Sequence, residues 1–268
     1  MYQTTYHRAA NVDEAARMFS AANEAKYMAG GQTLIPTMKQ RLAAPSDLID
    51  VSRIAEMKGI TVSGKSVTIG AATTHAEVAG SSELAAVCPG LTGLAGHIGD
   101  PHVRHCGTIG GSIANNDPAA DYPAAMIALD ATIHTNSRTL KADDFFTGMF
   151  ETALADDEII TAVSFEAPDA GAYEKFPNPA SRYAMAGVFV ASKNGGVRVG
   201  VTGAGQSGVF RWAEAESALS SDFSPEALAS LTVDAGNLLS DIHGSADYRA
   251  NLVAVMARRA VARARARG

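Results

Sequence analysis

The sequence predicts an α+β fold in two domains, which span residues 1–171 and 172–268. Three observations support this prediction. The 268 residues exceed the length of one minimal domain. Helix and strand patterns mix up to residue 167, whereas small, turn-prone residues fill 168–172. Beyond them, two strand patterns flank Lys193-Asn194-Gly195-Gly196, in which Asn-Gly is a strong signal for an antiparallel hairpin.

Local patterns predict the elements of the first domain. A helix begins after Asn11, which forms a capping-box pattern with Glu14. The Ala-rich residues 74–94 predict a helix in two pieces, broken at Cys88-Pro89-Gly90. The other predicted elements are strands over 26–29, 48–51, 131–135 and 159–165, helices over 33–41 and 122–129, and a hairpin of 60–62 with 67–69.

The second domain is predicted to contain two strands, over 184–192 and 196–202, and three helices. The helices cover 213–219, 224–239 and 246–266, and Ser224-Pro225 is a helix-start signal. The last helix places Tyr248, Leu252, Val255 and Met256 on one face, and its polar side carries Arg258, Arg259, Arg263, Arg265 and Arg267. This arginine run indicates a solvated helix end, with a subunit contact as the alternative.

Composition excludes several classes of protein. A net charge of −6 gives no general electrostatic basis for binding nucleic acid. Cys88 and Cys106 are the only cysteines, too few for an iron–sulfur cluster or a Cys-rich zinc site. Neither a signal peptide nor an apolar run near the ~18 residues of a membrane span is present. We therefore expect a cytoplasmic protein.

Two glycine pairs, eighty residues apart, are the most informative motifs. The first lies in Ala29-Gly30-Gly31-Gln32-Thr33-Leu34 and the second in Thr108-Ile109-Gly110-Gly111-Ser112. Glycine lets a backbone approach a ligand closely and permits positive φ. Free backbone N–H groups and flanking hydroxyls at such turns favour anions. Neither segment has the spacing of a Rossmann fingerprint or a P-loop, so we expect a phosphate or pyrophosphate bound in another way.

Polar residues near these segments and near the domain boundary admit two interpretations each. Asp121 either accepts hydrogen bonds from ligand hydroxyls or caps the helix that follows it. Lys175 is either a solvated lysine on a strand or a positive charge beside an electron-rich ring at the domain interface. His97, His102 and His105 lack metal-ligand spacing, which indicates structural roles. No arrangement typical of acyl transfer is present.

Five segments, residues 29–54, 98–131, 157–165, 173–188 and 246–267, cover nearly the whole chain. Together they resemble the FAD-binding (medium) subunits of the xanthine oxidase family of molybdenum hydroxylases. The resemblance is strongest to the medium subunit of aerobic carbon monoxide dehydrogenase. It implies a two-lobed FAD-binding domain of the PCMH type, followed by a smaller C-terminal domain with an antiparallel sheet and helices.

The resemblance also implies the cofactor contacts. Both glycine segments would hold the FAD diphosphate, the first through backbone N–H groups and the Thr33 hydroxyl. Asp121 would lie near the ribityl and adenosine hydroxyls, Ile98 near the isoalloxazine and Lys175 near the flavin. The full set is Ala29, Gly30, Gly31, Gln32, Thr33, Leu34, Ile98, Thr108, Ile109, Gly110, Gly111, Ser112, Asn115, Asp121, Ile160 and Lys175.

The function implied by the resemblance is electron transfer. A small partner subunit would carry [2Fe–2S] clusters and a large one the molybdenum cofactor, in a dimer of heterotrimers. This chain would take electrons onto FAD and pass them to an external acceptor. Two alternatives remain open: a scaffold subunit without flavin, whose Arg-rich C-terminus docks a partner, and a stand-alone FAD oxidase. Neither the substrate nor the acceptor (quinone, NAD⁺ or oxygen) can be specified.

Overall fold

The computed structural model describes residues 1–266. Its two N-terminal lobes and C-terminal domain confirm the predicted α+β fold. Arg267, which was expected on the polar side of the last helix, lies outside the described residues. Over residues 1–266, every helix is too short or too polar to span a membrane.

The first lobe is a three-stranded parallel sheet with strand order β1-β3-β2. Asn11 caps α1 as predicted, because its side chain accepts the Glu14 N–H at 2.8 Å. The elements are β1 (Thr5–Arg8), α1 (Val12–Ala21), β2 (Ala25–Met28), α2 (Leu34–Lys39) and β3 (Asp47–Asp50). The edge strand β2 runs directly into the first glycine segment, and α2 follows it.

The second lobe is a five-stranded antiparallel sheet, order β4-β5-β10-β6-β7, with six helices between β5 and β6. The predicted hairpin is confirmed as β4 and β5, which pair Ile60 with Ile69. The strands of this sheet are β4 (Ile60–Ser63), β5 (Ser66–Gly70), β6 (Thr132–Thr135), β7 (Thr139–Lys141) and β10 (Ile160–Glu166), and β8 (Phe146–Gly148) and β9 (Glu151–Thr152) form a separate two-stranded sheet. The helices are α3 (His75–Gly80), α4 (Ser82–Val87), α5 (Pro89–Gly96), α6 (Pro101–Cys106), α7 (Ile109–Asn115), α8 (Tyr122–Ala128) and α9 (Ala142–Phe145).

The Ala-rich residues 74–94 form three helices, and the prediction of two pieces is wrong. The break at Pro89 is correct, and a further break lies at Ser81. The Ser81 side chain accepts the Leu84 N–H at 3.2 Å and so begins a new helix. A serine side chain competes for backbone hydrogen bonds in this way, which favours it at caps over helix interiors.

The C-terminal domain is a four-stranded antiparallel sheet covered by two helices. Its elements are β11 (Ala170–Pro177), β12 (Ala184–Lys193), β13 (Gly196–Thr202), β14 (Phe210–Arg211), α10 (Ala213–Ser221) and α11 (Ala246–Arg265). The stretch 168–172, predicted as a turn, already enters β11 at Ala170. The division of the chain between residues 171 and 172 remains a prediction.

The predicted helix over 224–239 is wrong. Ser224 does cap a turn, since its hydroxyl accepts the Ala227 N–H at 3.2 Å. However, only the 3₁₀ turns Pro225–Leu228 and Ala235–Asn237 form. The β-branched Thr232 and Val233, together with Gly236, have low helix propensity and disfavour a continuous helix.

Helix α11 confirms the predicted apolar face only in part. Leu252 and Met256 are buried, but Tyr248 is 41% exposed. The buried position next to it belongs to Arg249, whose guanidinium donates to the Met185 and Gly203 carbonyls at 2.8 Å each. The arginine therefore ties α11 to the sheet.

Strand β12 is buried on both faces, which fixes the C-terminal domain against the lobes. Phe189 and Ala191 belong to the core shared with the lobes, whereas Val188 and Val190 pack with the helices of the C-terminal domain. On the neighbouring β13, a Cβ at Gly200 would lie only 2.1 Å from the Ala124 carbonyl oxygen of α8. The sheet thus packs directly on the second lobe.

Candidate functional site

Twelve of the sixteen predicted site residues line one cavity of about 620 Å³, whose walls come from both lobes and the C-terminal domain. This volume is typical of small-molecule and cofactor sites. The predicted residues that line it are Ala29, Gly30, Gly31, Gln32, Thr33, Leu34, Ile98, Thr108, Gly111, Ser112, Asn115 and Asp121.

The first glycine segment presents free donors to the cavity. Within residues 1–266, no backbone N–H of Gly30, Gly31, Gln32 or Thr33 donates to another atom. Gly31 has a φ of +66°, a conformation that glycine adopts without strain. The Thr33 side chain does not cap α2, which leaves its hydroxyl for a ligand. Consecutive unpaired N–H groups of this kind fit the oxygens of a phosphate group.

Close packing of the two glycine segments explains why residue 30 is a glycine. A Cβ at this position would lie 2.1 Å from the Cys106 carbonyl oxygen and 2.7 Å from the Gly107 Cα. Because both neighbours are backbone atoms, only glycine lets the first segment lie this close to the residues that precede the second. The arrangement brings the two segments, distant in sequence, onto one ligand.

The second glycine segment is the start of α7. Its N–H groups were expected to be free, but they donate hydrogen bonds within the chain. Ile109 and Gly110 donate to the carbonyls of Thr73 and Ala71, at 3.1 and 2.9 Å. Gly111 and Ser112 donate to the side chain and the carbonyl of Thr108. The segment therefore contributes shape and hydroxyl groups to the cavity: a Cβ on Gly111 would meet little except Thr108 and Ala29, whose Cβ is 3.9 Å away.

Thr108 is the N-cap of α7, and removal of its hydroxyl should lower the stability of the protein measurably. In Thr108→Ala, the Gly111 N–H loses the hydroxyl that accepts it at 3.1 Å. We expect the free energy of unfolding to fall by about 1 kcal/mol, the usual cost of losing such a cap. Urea unfolding followed by circular dichroism measures this change. Thr108→Ser keeps the hydroxyl and should retain most of the stability; equal losses in both variants would contradict the capping role.

Asp121 holds a buried carboxylate at the cavity wall. The Lys175 Nζ lies 3.0 Å from its Oδ1 and 3.1 Å from its Oδ2, and the Tyr173 hydroxyl donates to Oδ1. Lys175 also donates to the His97 carbonyl at 3.0 Å. Burial raises the pKa of the Asp121 carboxyl, against the opposing effects of the Lys175 charge and the hydrogen bonds from Tyr173 and Lys175. Asp121 therefore presents a carboxyl group at the cavity wall, with Lys175 as its buried partner.

The structure excludes one of the two interpretations of each of these residues. Asp121 precedes α8 but its side chain makes no capping hydrogen bond, because Tyr173 and Lys175 occupy it. Lys175 lies on a strand, yet its side chain is only 5% exposed, so it is not a solvated lysine. It belongs to the C-terminal sheet and contacts the second lobe, which places it at the domain interface.

Four predicted residues do not line the cavity. Ile109 and Ile160 are buried in the core of the lobes. Gly110 faces Ala71, the residue after β5, and a Cβ on Gly110 would come within 2.6 Å of the Ala71 side chain. Lys175 lies behind Asp121 and reaches the cavity only through that carboxylate.

Several lining residues were not expected from the sequence. His75 is 5% exposed, its Nδ1 has no partner within residues 1–266, and burial lowers its pKa to about 4. It is therefore neutral near pH 7. The others include Phe19, Lys26, Tyr27, Met28, Thr37, Gly99, Val103, Gly107, Ala114, Asp117, Ala120, Asp156, Ser181, Arg182 and Tyr183. Met28 and Gly107 directly precede the glycine segments, and this adjacency could have predicted from the sequence that both line the cavity.

Comparison with known proteins shows the family of this chain. Residues 2–167 match the model of a family described as the FAD binding domain in molybdopterin dehydrogenase. The chain is 36% identical to the nicotine 6-hydroxylase medium subunit of Paenarthrobacter nicotinovorans over 277 residues, with 98% of this chain and 97% of that protein covered. It is also 36% identical to the carbon monoxide dehydrogenase medium chain of Afipia carboxidovorans over 282 residues, which cover 98% and 96% of the two chains.

A solved structure supports the same relationship. A carbon monoxide dehydrogenase from Hydrogenophaga pseudoflava, crystallised without the Mo-pyranopterin moiety of its cofactor, contains a chain that superposes with a TM-score of 0.86. The identity is 32%, and 99% of this chain and 98% of that chain are covered. The free N–H groups of Gly30 to Thr33 and the open space beside Gly111 fit the diphosphate of FAD. This chain belongs to the family of FAD-binding domains of molybdopterin dehydrogenases, as the FAD-binding medium subunit of an oxidoreductase.

Proposed function

We propose that this chain transfers electrons within a cytoplasmic molybdenum hydroxylase complex. It takes them from the [2Fe–2S] clusters of a small subunit and passes them to an external acceptor, while a large molybdopterin subunit oxidises the substrate. The relatives named as medium subunits or chains support the existence of partner chains. A dimer of heterotrimers is the proposed assembly.

One observation carries this proposal: the two glycine segments meet beside a buried carboxylate. The free N–H groups of Gly30 to Thr33 bind the diphosphate, and the Asp121 carboxylate accepts hydrogen bonds from ligand hydroxyls. Lys175 holds that carboxylate in place from the C-terminal sheet. Bound flavin supplies a carrier that accepts electrons singly and releases them in pairs.

A flavin titration tests the proposal against the scaffold alternative. We expect the purified full-length chain, mixed with excess FAD and passed through a desalting column, to retain a flavin absorbance band. A scaffold subunit without flavin would retain none, and that result would overturn the proposal.

The stand-alone oxidase makes a different prediction for the same loaded protein. We expect no bleaching of the flavin band when carbon monoxide, nicotine or xanthine is added anaerobically to this chain alone. Bleaching by dithionite serves as the positive control. Reduction by one of these compounds without partner chains would favour the oxidase.

A further inference from the structure

The cavity has an aromatic wall that the glycine segments do not account for. Phe19 of α1 and Tyr27 of β2 both line it, and neither was among the expected cofactor contacts. Their rings stack, with centroids 4.7 Å apart and planes inclined by 26°. Both side chains are partly buried and pack against the core of the lobes.

Tyr27 is held from two directions. Phe19 covers its ring, and its hydroxyl donates to the Asp157 carbonyl oxygen at 3.1 Å. Burial raises the pKa of the Tyr27 phenol to about 12, so the group keeps its proton and remains a donor at neutral pH. A side chain ordered before ligand arrives loses little conformational entropy when a ligand packs on it.

Tyr27 lies where it can contact one half of a dinucleotide whose diphosphate is held by the glycine segments. It precedes Ala29 by two residues on an extended strand, which corresponds to about 7 Å of backbone. Lys26 precedes Tyr27 on β2, and Asp156 precedes the residue whose carbonyl accepts the Tyr27 hydroxyl; both line the cavity. Ile98 and Asp121 line the cavity from the segments next to α6 and α8. A diphosphate at the glycine segments therefore leaves one half of the ligand for the Tyr27 wall and the other half for Ile98 and Asp121.

We propose that Tyr27, backed by Phe19, is the stacking platform for the adenine base of FAD. This inference rests on the proposed function, because it assumes that the diphosphate lies between the glycine segments. A purine offers a flat π face to an aromatic ring, and such stacking contributes to affinity without hydrogen bonds to the edges of the base. The Asp156 carboxylate, on the same part of the wall, provides an acceptor for the exocyclic amino group of adenine.

Comparison of FAD with FMN isolates this contact, since FMN lacks the adenosine monophosphate half. In Tyr27→Leu, which keeps apolar volume but removes the ring, we expect the Kd for FAD to rise roughly 5- to 100-fold. The Kd for FMN should stay within about twofold of that of the parent. Equilibrium dialysis of the full-length chain with each flavin measures both constants. Unchanged FMN binding also shows that the variant is folded.

Tyr6 provides a matched control. It lies on β1, the other edge strand of the same sheet, and its hydroxyl donates to an Asp50 side-chain oxygen at 2.6 Å, but it does not line the cavity. Tyr6→Leu should leave the Kd for FAD unchanged. Tyr27→Phe keeps the ring and should bind FAD nearly as the parent does.

The results separate the two proposals. A parent chain that binds FAD, with Tyr27→Leu weakened for FAD alone, supports the platform. A parent that binds FAD while Tyr27→Leu is unaffected, or is weakened equally for FMN, overturns the platform and leaves the proposed function standing. A parent that binds neither flavin overturns both.

Discussion

Replacing Lys175 with methionine should destabilise the protein by roughly 3–5 kcal/mol at neutral pH, the usual cost of breaking a buried ion pair. The Lys175 and Asp121 side chains are 5% and 6% exposed, so little water reaches the carboxylate once the ammonium is gone. Only the Tyr173 hydroxyl would still donate to it. Urea unfolding followed by the fluorescence of Trp212, the single tryptophan, measures the loss.

The same variant should show a characteristic pH dependence. Without the Lys175 charge, burial raises the pKa of Asp121 further above its unfolded value. The native state then binds a proton that the unfolded state has released, so stability falls as pH rises through the folded pKa. We therefore expect the difference between Lys175→Met and the parent to be smaller at pH 5 than at pH 8.

A double variant tests the cause of this loss. Lys175→Met combined with Asp121→Asn removes the buried charge as well as its partner, and neutral replacements of buried ion pairs are often tolerated. It should recover more than half of the stability lost in the single variant, and it should lose the pH dependence. A double variant as unstable as the single one would show that Lys175 acts by packing alone.

Introducing a methyl group at Gly30 should separate the two glycine segments and abolish tight flavin binding. The added Cβ would meet the Cys106 carbonyl oxygen at 2.1 Å, so the backbone of one segment must move. Overpacking of this kind costs about 1–3 kcal/mol of stability. Each charge-assisted hydrogen bond is worth about 1.5–3 kcal/mol, and loss of two would weaken FAD binding by roughly 100-fold or more.

Gly93 is the matched control for Gly30. It lies within α5, is exposed, and a Cβ there would meet nothing within 4 Å. Gly93→Ala should leave the Kd for FAD unchanged and raise stability by up to about 1 kcal/mol, because alanine favours helix over glycine. If Gly30→Ala bound FAD with the affinity of the parent, close contact between the two segments would not be needed for FAD binding.

Local signals predicted those elements whose pattern is complete within a few residues. The β4–β5 hairpin and the cap at Asn11 are of this kind. Helix α7 was missed because its glycines suggested a loop, although Thr108 supplies the cap that starts it. The helix over 224–239 was predicted from a correct start signal at Ser224, which says nothing about how far a helix continues.

The candidate site was predictable where motif and resemblance named consecutive residues, and not where contacts join distant ones. The glycine segments were found because each lies within six residues or fewer. The hydrogen bond from Tyr173 to Asp121 joins residues 52 apart, and no local pattern encodes such a contact. The same holds for Tyr27, whose role depends on Phe19 and Asp157 in separate elements.

The burial of β12 on both faces bears on when the site forms during synthesis. A nascent chain that has emerged as far as residue 167 contains both glycine segments and Asp121, yet it lacks Tyr173, Lys175 and Phe189. Its core is open where Phe189 will pack, and its buried carboxylate has no cation beside it. We therefore expect cofactor loading to follow release of the C-terminal sheet from the ribosome, and a chain truncated after residue 167 to bind FAD more weakly than the whole protein.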